Sequence, residues 1–239
     1  MQPRRPVASA QRTHTNAYGA LIDGLVADGI WAKTDVMYVL ATADATTAGL
    51  NLKSTSYTLS EVSSPAFTAD QGYASNGTTS YVDTTWNTST NSVQFTRDSA
   101  YIAIRNNTSA TSDATYQSAG TSGTHIAPRS ATASCYARVN GSNAGISNTQ
   151  RKGFYIASRT TSTLTTVYKA GSSIGTTSAA SAAIVSRPVF ICCYNVAGTP
   201  TNFSVDQISF VAFGAGLDAT EAANFNTRVE AYMTAVGAP

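Results

Sequence analysis

This sequence is short of the residue types on which most site chemistry depends. It has two histidines, three cysteines and three glutamates, Glu61, Glu221 and Glu230, and only 12% of its residues are charged. His14 and His125 are far apart and there is no Cys-x-x-Cys, so no zinc site is expected; no acidic loop of the EF-hand kind occurs, and no metal is assigned. Glycoside hydrolysis on a β scaffold needs two carboxylates facing one cleft, and no strand carries such a pair, so no catalytic residues are assigned and the chain is not expected to be an enzyme. Walker A and G-x-G-x-x-G spacings are missing, which leaves no cofactor expected. Gly171-Ser-Ser-Ile-Gly175 has the form of a nucleophile elbow, but both histidines precede Ser173, and the segment reads as a hairpin tip. Cys135, Cys192 and Cys193 make an odd number and read as buried free thiols rather than a disulfide framework. No apolar run approaches the ~18 residues of a membrane span, and no apolar core follows the charges of residues 1–10, so neither membrane insertion nor a secretory leader is expected.

What the chain does have is Ser, Thr, Ala, Gly and Asn in abundance, the composition of short strands joined by turns. From Leu50 onward, short apolar runs such as Tyr57–Leu59, Tyr81–Asp83, Val93–Phe95, Tyr101–Ile104, Ala133–Val139, Phe154–Ser158 and Val189–Val196 alternate with turn signals such as Asn76-Gly77, Asn140-Gly141 and Ala170-Gly171. Roughly ten or more strands without helical periodicity between them predict an all-β, antiparallel two-sheet sandwich or barrel. The closing segment is the clearest. A strand over residues 203–213, covered on both faces, leads to Asp218 as N-cap with Glu221 as its capping-box partner. Ala222, Phe225, Val229, Tyr232, Met233 and Val236 then form one helical stripe that Gly237 ends. At the other end, Thr15 or Asn16 caps a first helix with Tyr18, Leu21, Ile22, Leu25 and Val26 on one face. Residues 1–15, with Arg4, Arg5 and Arg12 and little to bury, read as an extended arm that assembles with a partner. The expected organisation is this arm followed by one domain over residues 16–239.

Between Arg97 and Arg187, nine Lys or Arg stand against Asp98 and Asp113. Only Arg151-Lys152 are adjacent and no basic run occurs, so these charges read as solubilising and no nucleic-acid partner is expected. If the chain adheres to an anionic surface, Arg151 and Lys152, just beyond the turn-rich residues 140–149, are the pair expected to protrude. Tyr116, Tyr136 and Tyr155 are the aromatics placed with them as candidate glycan contacts.

Tyr168-Lys-Ala-Gly171, Phe190-Ile191, the strand Ser204–Phe213 and Gly216–Glu221 resemble the last strands and closing segment of concanavalin A-like jelly rolls of the laminin-G type. Gly29–Leu40, Asp44, Asn51, Pro65–Asp70, Gly72-Tyr73, Gly77, Ser80–Thr84 and Tyr232–Gly237, together with the first helix, are similar to a group of tailed-phage and prophage virion proteins. That resemblance implies a lectin-like jelly roll carried in a virion and assembled in the host bacterial cytoplasm. It implies a homo-oligomeric structural component of a tail fibre, spike or decoration layer, in contact with other virion proteins. The alternative is a carbohydrate-binding receptor module that attaches the particle to a host surface glycan.

Overall fold

The computed structural model describes residues 7–109 and 119–239. Its first part consists of α1 (Val7–Ala27), α2 (Ile30–Lys33), β1 (Thr34–Val39), α3 (Ala45–Ala48), β2 (Ser60–Val62), β3 (Ala66–Thr68), β4 (Gly72–Ala74), β5 (Tyr81–Asn87) and β6 (Ala100–Asn106). The middle holds β7 (Ala119–Gly120), β8 (Thr124–Ala127), β9 (Ser134–Val139), β10 (Ala144–Ser147), β11 (Gly153–Arg159), β12 (Thr165–Lys169) and β13 (Ser172–Thr177). The chain closes with β14 (Pro188–Ile191), β15 (Tyr194–Val196), β16 (Thr199–Thr201), β17 (Ile208–Gly214) and α4 (Ala219–Val236).

Two antiparallel sheets make the body, a jelly-roll sandwich with a helix at each end of the chain. The first sheet has the order β13-β12-β11-β6-β17-β4-β3, with β1 also pairing β17; the second has the order β10-β9-β8-β7-β14-β5-β2. Because side chains alternate along a strand, each sheet contributes one face to the space between them. Tyr38, Trp86, Ile102, Ile104, Ile126, Val139, Val189, Ile191, Val211 and Phe213 fill that space.

The outer face of the first sheet is buried as well. Met37, Val39, Tyr101, Phe154, Ile156, Phe210 and Ala212 meet Leu21 and Leu25 of α1 and Phe225, Val229, Tyr232 and Met233 of α4. β17 is therefore covered on both sides, and all seven of its residues are buried. A register shift between Ile208 and Phe210 turns Ile208 toward the inter-sheet core, on the side of Val211 and Phe213. Strict alternation places Ile208 with Phe210; the bulge decides otherwise.

The closing helix has the expected bounds. Asp218 accepts from the Glu221 amide while Glu221 accepts from the Asp218 amide, both at 2.9 Å, and Gly237 closes the helix at φ 75°. The N-terminal region differs. α1 begins at Val7, so Thr15 and Asn16 lie inside it and Arg12 is on an exposed helical position rather than in an extended arm. From Ala17 onward the helix lies on α4, with Tyr18 on Tyr232 at a ring-centroid distance of 5.2 Å, and one turn earlier His14 Nε2 is 2.6 Å from Asp70 Oδ1 in the β3–β4 turn. Arg4 and Arg5 lie outside the described residues.

Two expected strands are loops. The amides of Val93, Gln94 and Phe95 turn to the Asp35 carboxylate, at 2.8–3.1 Å, instead of to a neighbouring strand. Tyr57 sits at φ 62°, a backbone state hostile to an aromatic residue, and the strand starts only at Ser60. The segment Gly171–Gly175 is part of the β12–β13 hairpin, as expected, with Gly171 close to Ala223 of α4. Cys135, Cys192 and Cys193 are free and buried.

Candidate functional site

The two sheets differ in what covers their outer faces. On the second sheet the only secondary structure lying across the outer face, among the described residues, is the β15–β16 hairpin. Tyr194 at its start stacks against His125 at 5.4 Å, and Asn195 bridges to Thr121. Either side of that hairpin, strand alternation turns Tyr81, Asp83 and Phe190 outward from β5 and β14, and Tyr136 and Arg138 outward from β9.

The β5–β14 side forms an aromatic patch. The Tyr81 and Phe190 rings lie 4.5 Å apart and the Phe203 ring is 6.3 Å from Tyr81. Phe190 is buried beneath, Tyr81 and Phe203 are half-exposed, and neighbouring Val205 is 53% exposed. Asp83 pairs across the sheet with Phe190 on one side and Ser60 on the other. Burial raises the Asp83 pKa from its ordinary value, opposed by the amide of Thr85, which donates to its carboxylate at 2.7 Å. A carboxylate acceptor beside half-exposed aromatic faces is an arrangement that can take a sugar ring, the C–H face on the aromatics and the hydroxyls on the acid.

On the far side, Tyr136 lies across Gly145 of the edge strand, ring atoms 3.1–3.7 Å from where a Cβ would be. Arg138 donates to the Ser122 carbonyl at 2.6 Å. His125 between them is buried, its pKa depressed to about 4 by burial and then by Arg138. Gly120 opposite it, at φ 148°, has no room for a side chain: a Cβ would stand 2.3 Å from that of His125.

The residues expected from sequence to contact a ligand fare unevenly. Tyr136 is on the open face, and Lys152 is half-exposed at the start of β11. Tyr155 is in the inter-sheet core, its hydroxyl donating to the Gln150 carbonyl at 2.6 Å, so it cannot meet a surface glycan. Arg151 does not protrude. It is buried with Asp206, Nη1 to Oδ1 2.9 Å, and Asn106 donates to the other carboxylate oxygen at 2.7 Å. Tyr116 lies outside the described residues. Tyr81 and Phe203 are the half-exposed aromatics of the open face, and strand alternation around Val82 and Thr84 is the sequence signal that turns Tyr81 outward.

The basic middle section is also not the scattered surface charge its spacing suggested. Arg159 is fully buried, donating from Nε to the Val139 carbonyl at 2.7 Å and from its Nη atoms to the carbonyls of Ser162 and Ala179 at 3.1 and 3.2 Å. Arg105 pairs with Glu230 at 2.9 Å, and Arg97 donates to the Ser181 carbonyl at 2.8 Å. In a chain with many strand ends and few carboxylates, the five-donor guanidinium satisfies loop carbonyls that would otherwise stay unpaired inside.

The fold is that of a two-sheet antiparallel jelly-roll sandwich flanked by a helix at each end of the chain. No protein-family model and no curated protein sequence matches the chain. Solved structures do. The binding domain of botulinum neurotoxin serotype D aligns with 83% of this chain and 52% of its own at 8% identity and a TM-score of 0.56. The binding domain of botulinum neurotoxin DC, solved with rat synaptotagmin II, aligns with 83% and 52% at 11% identity and a TM-score of 0.54. Trypanosoma rangeli sialidase aligns with 83% and 33% at 11% identity and a TM-score of 0.54. The chain thus corresponds to about half of the toxin binding domains and a third of the sialidase, and at such identities the likeness is one of fold.

Proposed function

We propose that this chain is a non-catalytic carbohydrate-binding module that attaches whatever carries it to a glycosylated surface. The observation that carries the reading is the Tyr81–Phe190–Phe203 patch with Asp83 at its side, on the sheet face left open by the helices. Likeness of fold supports it: a similar structure is that of botulinum neurotoxin type C, whose cell entry is dependent upon interaction with two ganglioside molecules. All three glutamates already have structural partners. Glu221 closes the α4 cap, Glu230 holds Arg105 and Glu61 accepts from Tyr73. None of them lies at the patch, where Asp83 stands as a single carboxylate among the described residues; glycoside hydrolysis takes a pair, so the arrangement favours binding.

The particle setting rests on the sequence resemblance to tailed-phage virion proteins. In that setting the module belongs to a tail fibre, spike or decoration protein, meets other virion proteins through its remaining surface, and meets the host glycan through the open face. A glycan array followed by saturation-transfer NMR tests the binding. Retention of a glycan by the parent chain, reduced at least tenfold, about 1.4 kcal/mol, in Tyr81→Ala, is the expected result. A parent chain that retains no glycan, or a Tyr81→Ala chain that binds as the parent does, overturns it. Locating the chain in a particle reconstruction tests the setting separately.

A further inference from the structure

A second, unrelated cavity lies where the sheets part at one edge of the sandwich. It has a volume of about 360 Å³, within the range of small-molecule sites, and is lined by Ala45, Thr46, Leu50, Thr58, Leu59 and Glu61, with Tyr73 at its base. Its walls are fixed before any ligand arrives. The Leu59 amide donates to the Gly49 carbonyl at 2.9 Å, joining the segment after α3 to the segment before β2. Asp44 caps α3 through the Thr47 amide at 2.8 Å. Tyr57, immediately before Thr58, is held in its strained conformation by the Tyr38 hydroxyl, which donates to its carbonyl at 2.8 Å.

The groove is open to solvent and its distinctive group is Glu61, an exposed residue of the edge strand β2. The Tyr73 hydroxyl donates to Glu61 Oε1 at 2.6 Å, which sets the orientation of the carboxylate and leaves Oε2 for another donor. Burial and the neighbouring Glu61 both raise the Tyr73 pKa well above that of a free phenol, so the proton stays on the tyrosine and the glutamate remains an acceptor. Glu61 is in no ion pair among the described residues, unlike Glu221 and Glu230. Across from it, Leu50 is 50% exposed at the rim and Leu59 is half-buried, giving an apolar wall with the Thr46 and Thr58 hydroxyls at its margins.

An oriented, solvent-exposed carboxylate without a cation, at the rim of an open groove with an apolar wall, is complementary to a positive head on a short carbon skeleton. We infer that this cavity binds a small primary amine, its ammonium group on Glu61 and its skeleton on Leu50 and Leu59. An amino sugar or an aliphatic diamine would present that group, and the threonine hydroxyls would favour the former. The inference does not depend on glycan binding at the open face: Glu61 is on β2, next to β5, but pairs with the core-facing Val82, and the groove shares none of its residues with the aromatic patch.

The test is an amide-resolved NMR titration of the full chain with glucosamine, with putrescine and with glucose. Glucosamine or putrescine should shift the amides of Thr46, Leu50, Thr58 and Leu59, and glucose should not; stronger binding of glucosamine assigns the site to amino sugars, stronger binding of putrescine to aliphatic amines. Glu61→Gln keeps a carbonyl oxygen for Tyr73 but removes the charge, and should weaken the amine at least tenfold. Leu50→Lys, at the exposed rim, supplies a competing ammonium and should weaken it too. Absence of shifts with both amines, equal shifts with glucose, or undiminished binding by Glu61→Gln overturns the inference. Shifts confined to residues 81–83 and 190 would instead report the open face.

Discussion

Each sheet of this sandwich turns a cluster of aromatic rings away from the inter-sheet core, and the two clusters have opposite fates. On the first sheet, Phe154 and Phe210 meet Phe225 of α4 edge to face at 5.1 and 5.7 Å, with Tyr101 at 5.9 Å, and all four are buried. On the second, Tyr81 and Phe203 keep part of their surface in solvent, and no helix among the described residues lies over them. The residue types and ring separations are alike. A covered cluster contributes to stability through burial, whereas a half-covered one retains apolar surface that a ligand can still remove from water.

The comparison can be broken most directly at Phe225. Phe225→Ala removes the ring at the centre of the covered cluster and should cost about 3–5 kcal/mol, seen as a large fall in melting temperature, while glycan binding below that temperature is unchanged. An unchanged melting temperature would mean that α4 does not pack as described. A loss of similar size is expected from Arg151→Ser, about 3–5 kcal/mol, since Asp206 is left buried without its cation. Lys152→Ser next to it should stay within about 0.5 kcal/mol. A pair that acted instead as an electrostatic patch would show a salt-dependent change in adsorption in both variants and little change in folding.

On the open face the next effect is one of pH. An unfolded chain takes up a proton on histidine near pH 6.5, whereas buried His125 resists until about pH 4. Between those values the unfolded state binds the extra proton, so stability should fall as pH drops from about 6.5 to 4, by up to roughly 3 kcal/mol, and this contribution should change no further below 4. Chemical denaturation across that range measures it, and His125→Gln should flatten the dependence. A small change in stability is expected from Phe203→Ala, under about 1 kcal/mol for a half-exposed ring, together with a clear loss of glycan retention. A large destabilisation with binding intact would make the open cluster a structural one, like its counterpart beneath the helices.

Much of the architecture was legible locally. The α4 cap, stripe and stop are all set within about twenty residues of sequence, and the turns at Asn140-Gly141 and Ala170-Gly171 reflect backbone preferences of the residues themselves. The site was less legible. Tyr81 and Tyr155 both sit in strand-like segments, but β11 belongs to the sheet buried on both faces, so Tyr155 is interior, while Tyr81 is on the outer face of the second sheet, which no helix among the described residues covers.

The sequence alone therefore determined that the chain would be a strand-rich sandwich closed by an amphipathic helix, because alternation, turn chemistry and capping act over a few neighbouring residues. Tertiary structure decided the rest: that α1 already includes Thr15 and Asn16 and packs on α4 through Leu21 and Leu25, that Arg151 and Arg159 are interior donors rather than surface charge, and that one outer face is covered by helices while, among the described residues, the other is not. These outcomes depend on which segments meet across long stretches of chain, as Arg151 meets Asp206, and no local pattern records that meeting.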